Sequence, residues 1–352
     1  MSMLRRLRFI VVTSVVAVFA VVTMASQGHA HTGTSCSALG TWNKTFKVDM
    51  VGPTPWTILA HDEHDSTQQV NVTALMYKIP GQPASIPGPT LEMNEGDHVC
   101  VEFRNYMDEH TSVHFHGIKA PFLANDTDGV PPVGAGTDIP NDGSPLAVHF
   151  TAPKPGAYMY HAHENTTRQI LLGLYGRIIV KGDRDGQFTY DDTWMLSEWR
   201  VNKNGANHIT STEPAGLDID SLPNYFVING KAFDPAALGD GTFGMDVGNK
   251  IVILKQGQKA RIRLIGIGQW AHPLHMHGRN FTVTHQDGVK LANNLVINTL
   301  TVHPGEIYDI EFTAGTTPED LGIWVFHCHV LDHATNNDVY PGGLVSAVAI
   351  VP

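Results

Sequence analysis

The chain is short of three things: cysteine, charge and base. Three Cys in 352 residues exclude a disulfide-dense scaffold. Charged residues make up 16 % of the chain, below the roughly 25 % of ordinary soluble domains. Lys and Arg number 23 against 34 Asp and Glu, for a formal charge of −11. That deficit of base excludes nucleic acid or an anionic membrane surface as the main partner, because basic patches meet both. Beyond the first thirty residues no apolar run is long enough to span a membrane. No long amphipathic helix stands out either. The length suggests two domains. It is ample for a hydrophobic core, so neither metal nor disulfides are required to hold the chain together. Gly (34) and Pro (21) are plentiful but dispersed, which reads as many turns and not as disorder. What the chain has in excess is histidine, 20 residues of the commonest metal ligand.

The first thirty residues read as an export signal. Arg5, Arg6 and Arg8 form a basic head. An apolar run from Phe9 to Ala25 follows, interrupted by Thr13, Ser14 and Thr23, and then the small-residue stretch Gly28-His29-Ala30. This layout predicts a signal peptide over 1–30 with cleavage after Ala30, and no membrane attachment afterwards. The competing reading is an uncleaved anchor, for which the run is short. Arg5-Arg6 matches a twin-arginine signal only in part. An exported protein, periplasmic or extracellular, folds in an oxidising compartment, where Cys36 and Cys100 can pair. Cys328 is then the odd cysteine and needs another reason to be there.

After the leader, strand signals dominate. Gln69–Ile79, His98–Phe103, Leu171–Val180, Lys250–Leu254, Ala260–Ile265, Asn280–Thr284, Ile307–Phe312, Ile323–Phe326 and Ser346–Val351 are rich in β-branched and aromatic residues. Turn formers such as Pro87-Gly88-Pro89, Asn94-Glu95-Gly96 and Lys255-Gln256-Gly257 separate them. Many short strands at regular spacing predict an all-β protein of sandwiches or barrels. The halves also echo each other. Glu95-Gly96-Asp97, His114-Phe115-His116-Gly117, Pro155-Gly156 and Tyr160-His161-Ala162-His163 recur as Gln256-Gly257-Gln258, His275-Met276-His277-Gly278, Pro304-Gly305 and Phe326-His327-Cys328-His329. This is an internal duplication. The polar stretch Lys181–Gly186 is the expected join, giving domains over 31–183 and 184–352.

Four His-x-His pairs carry the chemistry: His114/His116, His161/His163, His275/His277 and His327/His329. Residues two apart on a strand share a face, so each pair offers two imidazoles side by side. A lone pair is weak evidence; four pairs placed equivalently in two repeats point to metal. Cys328, between His327 and His329, points to the opposite face and must serve a different site. His333, five residues on, and His272, in His272-Pro273-Leu274-His275, are spaced to join it. A His₂Cys set is the blue-copper electron-transfer arrangement, and a zinc reading leaves most of the other His unexplained.

With His114-Phe115-His116-Gly117, His161-Ala162-His163, the run His272–Gly278 (HPLHMHG) and the run His327–His333 (HCHVLDH), the chain resembles the multicopper oxidases, and among them the small two-domain laccases. The resemblance covers nearly all of the chain after the leader. It implies two tandem cupredoxin-like Greek-key β-sandwich domains and four coppers. Type 1 copper would be bound by His272, Cys328 and His333, and type 2 by His114 and His275. One type 3 copper would take His116, His161 and His329, and the other His163, His277 and His327. Asp128, twelve residues after His116, falls where the family has an acid near the trinuclear cluster that relays protons or orients a ligand. The alternative for Asp128 is a plain Asp-Gly turn.

Three departures qualify the match. The first repeat has Ala162 where the second has Cys328, and no His lies five residues after His163, so only the second domain can hold type 1 copper. The family's axial residue, in a Gly-Met or Gly-Leu pair, is displaced by Ala334–Gly342, which leaves Gly343-Leu344 as the nearest pair. A leucine there removes sulfur ligation and raises the copper potential. Finally, His163 and His272 are too close in sequence to admit a third sandwich. Small two-domain laccases solve this as homotrimers, domain one of a chain meeting domain two of its neighbour in a closed ring.

The implied reaction takes electrons one at a time from a small reducing substrate, a phenol or aromatic amine. Cys328, His327 and His329 pass them on, and four reduce O₂ to water. A metallo-oxidase acting on Mn(II), Fe(II) or Cu(I) would use the same ligands, though the 11 Met form no Cu(I)-type cluster. Copper nitrite reductase is disfavoured by Ala162 and by the complete set of eight His, and a copper carrier by a Cys bridging two sites. Of the rest, His61-Asp62-Glu63-His64-Asp65 reads as a polar loop, Asp332 as solvated or as a partner of His333, and Trp270 as a core residue, with lining of the substrate cleft as its alternative.

Overall fold

The structure, a computed structural model, describes residues 30–59, 70–119, 139–201, 222–233 and 251–352. The leader up to residue 29, His61-Asp62-Glu63-His64-Asp65, Asp128 and His208 lie outside the described residues.

The first half contains β1 (Ala30–Thr32), β2 (Lys44–Leu59), β3 (Val70–Lys78), β4 (Gly88–Asn94), β5 (His98–Asn105), β6 (Val113–His116), β7 (Pro145–Thr151), β8 (Gly156–Ala162) and β9 (Tyr175–Lys181). They form a five-stranded sheet in the order β1-β7-β5-β2-β3 and a four-stranded sheet in the order β4-β9-β8-β6. The second half contains β10 (Tyr190–Trp199), β11 (Tyr225–Ile228), β12 (Val252–Lys255), β13 (Lys259–Gly266), β14 (His272–Met276), β15 (Phe281–Gln286), β16 (Val289–Ile297), β17 (Thr299–Val302), β18 (Ile307–Thr313), β19 (Gly322–Cys328) and β20 (Val345–Val351). Here the sheets run β11-β10-β13-β18-β15-β16 and β12-β20-β19-β14-β17. Non-consecutive neighbours throughout are the crossovers of Greek-key cupredoxin-like sandwiches. Among the described residues helix is confined to short pieces such as α1 (Cys36–Leu39) and α2 (Thr166–Leu171).

Each sandwich closes on an apolar core drawn from both of its sheets. Val48, Val99 and Phe103 meet Leu91, Tyr160 and Ile178 in the first; Leu196, Ile262 and Ile310 meet Met276, Phe326 and Val348 in the second. β10 works on both sides. Trp194 and Leu196 enter the second core, whereas Met195 and Trp199 join the first, as strand alternation requires. The same alternation aims Glu198 into the second sandwich, where it is buried. At the join, Asp185 and Asp191 meet the buried guanidinium groups of Arg261 and Arg263. Cys36 and Cys100 form a disulfide, as the oxidising-compartment reading expects.

Two local expectations change. Leu171–Val180 is not one strand. Leu171 ends α2, Gly173 turns the chain at φ +113°, and pairing begins at Tyr175. Trp270 is not a core residue; it is 39 % exposed. Among the described residues, no helix is long and apolar enough to cross a membrane.

Candidate metal centre

The histidine pairs sit on corresponding strands of the two sandwiches. β6 carries His114 and His116; β8 carries His161, with His163 just past its end. His114 lies directly opposite His161 in the β6–β8 ladder. In the second sandwich His275 on β14 lies directly opposite His327 on β19, with His277 and His329 just beyond their strand ends. Each register pair puts two rings on one face, and each His-x-His step adds a third and a fourth.

The two quartets have nearly the same dimensions. His114 is 5.2 Å from His161 and 5.3 Å from His163, ring centre to ring centre. His277 is 5.1 Å from both His275 and His327. The rings of His161 and His163 are tilted 29° to each other, and those of His327 and His329 by 27°. In the first quartet, one ligand nitrogen each from His114, His116 and His161 lie within 4.8 Å of one another. The His116 imidazole is also hydrogen-bonded to the Gly305 backbone of the second sandwich. Burial pulls the His161 imidazole down to about 3 and also lowers His116 and His327, so these rings stay neutral, the form that binds metal. The second quartet is more open, with His277 and His329 exposed. Among the described residues, its ring contacts are with its own members and include His275 to His329 at 5.6 Å.

On the other face of β19 stands a second donor set. Cys328 Sγ is 3.7 Å from His333 Nδ1, and His272 Nδ1 is 3.1 Å from the same nitrogen. All three residues are buried. Three strands or turns position them. His272 opens β14, Cys328 closes β19, and His333 sits in a 3₁₀ turn, Leu331–Ala334. The Cys328 amide donates to the Leu344 carbonyl, and the Leu344 amide to the His333 carbonyl, so the buried Leu344 is clamped between two donors by its own main chain. Phe226 stacks on His333 at 4.2 Å, and Trp270 meets its edge at 5.8 Å.

The chemistry of this set fits copper. Burial pushes the Cys328 thiol up to about 12 and holds His333 down to about 4, so the protein alone presents a neutral thiol and a neutral imidazole. A thiophilic cation that takes the place of the thiol proton makes a thiolate here tenable. Among the described residues the set is two imidazole nitrogens and one sulfur, which is the copper pattern and not the tetrahedral zinc one.

The expected ligands thus fall into three groups: the quartet of the first sandwich and, on opposite faces of β19, the second quartet and the set of His272, Cys328 and His333. Asp332 is exposed, and its main-chain carbonyl accepts from the Thr335 hydroxyl. Glu198 was missed. Its Oε1 lies 2.7 Å from His272 Nε2. The signal available was a single acid in the apolar strand Met195–Trp199.

Two cupredoxin-like sandwiches carrying a buried His₂Cys set and paired imidazole quartets define a copper protein of the electron-transfer class. Multicopper oxidase profiles match residues 66–185 and 220–338. The chain belongs to the multicopper oxidase family. The solved structure of the multicopper oxidase mgLAC is 26 % identical, with a TM-score of 0.68 over 88 % of this chain and 87 % of that one. The blue copper oxidase of Nitrosomonas europaea is 25 % identical, with a TM-score of 0.65 over 87 % and 86 % of the two chains. A probable nitrite reductase-hydroxylamine oxidoreductase fusion protein of Kuenenia stuttgartiensis is 26 % identical over 74 % of this chain and 28 % of its own length. The chain spans less than half the length of the curated relatives it matches.

Proposed function

We propose that this protein is a laccase-type oxidase, taking single electrons from small phenolic or aromatic-amine donors and delivering four to O₂, which becomes water. Bound copper would supply the one-electron and oxygen chemistry. The residues do the rest. His272, Cys328 and His333 would hold type 1 copper. His114 and His275 would hold type 2. His116, His161 and His329 would hold one type 3 copper, and His163, His277 and His327 the other.

One observation carries this reading: Cys328 lies between His327 and His329, with its sulfur in the buried set and their rings in the open quartet. A single residue's backbone thus joins an electron-accepting site to an oxygen-reducing one. Two others support its parts. Trp270, partly exposed and edge-on to His333, offers an aromatic donor a wall beside a ligand ring. The buried Leu344, whose side chain brings no sulfur, suits a high-potential site.

The eight-imidazole cluster needs both quartets. We read the exposed His277 and His329 as completed by the first quartet of a neighbouring copy, in a closed homotrimer. Exposed Leu295 and Val296 near the end of β16 are apolar surface fit for that contact. Asn298, which follows β16, accepts at its carbonyl from His275 Nδ1, 3.0 Å away. Export by the leader over 1–30 and proton delivery by Asp128 belong to the same reading. The test is oxygen uptake with a phenol set against uptake with Mn(II), Fe(II) or Cu(I). Faster turnover with the phenol is expected; turnover with a metal ion alone would make the protein a metallo-oxidase.

A further inference from the structure

We propose that Glu198 is a positioning residue for the type 1 donor set: it fixes the ring of His272 through Nε2 and holds the potential of the bound copper down. This rests on the reading of His272, Cys328 and His333 as copper ligands.

The carboxylate is built into the fold. Glu198 is 2 % exposed, on the strand that faces the second core. Three N–H groups converge on it. His272 Nε2 is 2.7 Å from Oε1, the Trp270 amide 3.3 Å from Oε1, and the Gln269 amide 3.0 Å from Oε2. The loop is shaped to admit the group, since a Cβ on Gly268 would fall 2.1 Å from Oε2. The amides of Ile267 and Gly268 both bond the Leu196 carbonyl, tying the loop to β10 two residues before Glu198.

Two consequences follow from elementary chemistry. A carboxylate accepting from His272 Nε2 keeps the proton on that nitrogen, so Nδ1 carries the lone pair. Nδ1 is the atom that faces His333. Such outer partners fix the tautomer and make the ligand more basic. The second consequence is electrostatic. Among the described residues the only ion-pair partner of Glu198 is His272. A buried anion with no Lys or Arg beside it needs a cation close by. With the Cys328 thiolate it supplies two negative charges, which balance Cu(II) and overbalance Cu(I). The oxidised metal is favoured. Leu344, in contrast, favours the reduced metal by withholding a ligand. The site thus sets its potential by opposing devices.

The test is Glu198→Gln in the copper-loaded protein, read by redox titration of the blue absorption and by copper loss to a chelator. The amide keeps the shape but removes the charge and turns an N–H group toward an N–H donor. We expect the equilibrium with a reference couple to move about tenfold toward Cu(I), a rise of about 59 mV for one electron. Copper affinity should fall roughly 10–100-fold. A blue protein with unmoved potential and affinity would overturn the proposal. Absence of blue colour from the unsubstituted protein would overturn the ligand reading instead. Should the variant not fold, histidine-selective ¹⁵N NMR of the unsubstituted, metal-free protein carries the test. A proton on His272 Nε2 is expected, and one on Nδ1 contradicts it.

Discussion

The two sandwiches use the same strands to different ends at one spot, the far side of the second His-x-His pair. In the second sandwich this spot holds Cys328, with His272 three residues before one His pair and His333 five residues after the cysteine. Counting the same offsets in the first sandwich gives Ala162, Thr111 and Thr167. Ala162 is fully buried in the core. Thr111 Oγ1 donates to Gln169 Oε1 at 2.8 Å, and Gln169 Nε2 reaches Glu109 Oε2 at 3.2 Å and the His110 carbonyl at 2.8 Å. Arg168 of the same short helix pairs with Glu109. One sandwich therefore fills the spot with a hydrogen-bonded polar clasp, and the other with a buried thiol and two imidazoles. A metal site here needs three separated positions changed together, whereas the flanking histidine quartets are untouched by the choice.

Cys328→Ser removes the sulfur. Blue absorption and oxidase activity should fall by more than the roughly 10–100-fold typical of lost outer-sphere partners. Retained colour in the absorption spectrum would refute the assignment. Val296→Lys places a charge on the apolar surface beside the open quartet. It should dissociate the proposed trimer, as read by light scattering, and stop oxygen uptake while the blue colour stays. Gln169→Ala breaks the clasp in the first sandwich and strands buried partners. Thermal unfolding should show a loss of about 1–3 kcal/mol with the blue spectrum unchanged. The converse change, Ala162→Cys, adds a thiol without imidazoles, so no second blue band should appear. Overpacking should cost about 1–3 kcal/mol.

A pH series sharpens the same contrast. His161 is held to about 3 and His333 to about 4, both from an ordinary value of 6.5, chiefly by burial. The unfolded chain then binds more protons than the native one below that value, and stability rises with pH through this window. The metal-free protein should keep this contribution above pH 6.5 and lose it as pH falls toward 4 for His333 and toward 3 for His161. Denaturant midpoints across the series would show it. Flat midpoints would contradict it.

Much of this was legible in the sequence because it is local. A strand alternates sides every residue, so His327-Cys328-His329 states its geometry outright. The repeat of motifs announced two sandwiches, and β-branched and aromatic runs located β3, β5, β12, β13, β15, β18, β19 and β20 to within two residues at each end, but not the long β2 or β10. What could not be read depends on distant pairing. Glu198 meets His272 only because β10 and the loop before β14 fold together. β16, which contains Asn293-Asn294, was not among the expected strands; it is held as one by pairing with β15. Leu171 looked like the start of a strand, but the clasp around Gln169 holds it in a helical turn.

In the proposed function each chain holds a complete blue-copper site and half of each of two oxygen-reducing clusters. Light scattering on copper-loaded protein, with oxygen uptake measured on the same fractions through a dilution series, tests it most directly. Blue monomers that consume no oxygen and closed trimers that do are the expected result. A monomer with full oxidase activity would contradict it.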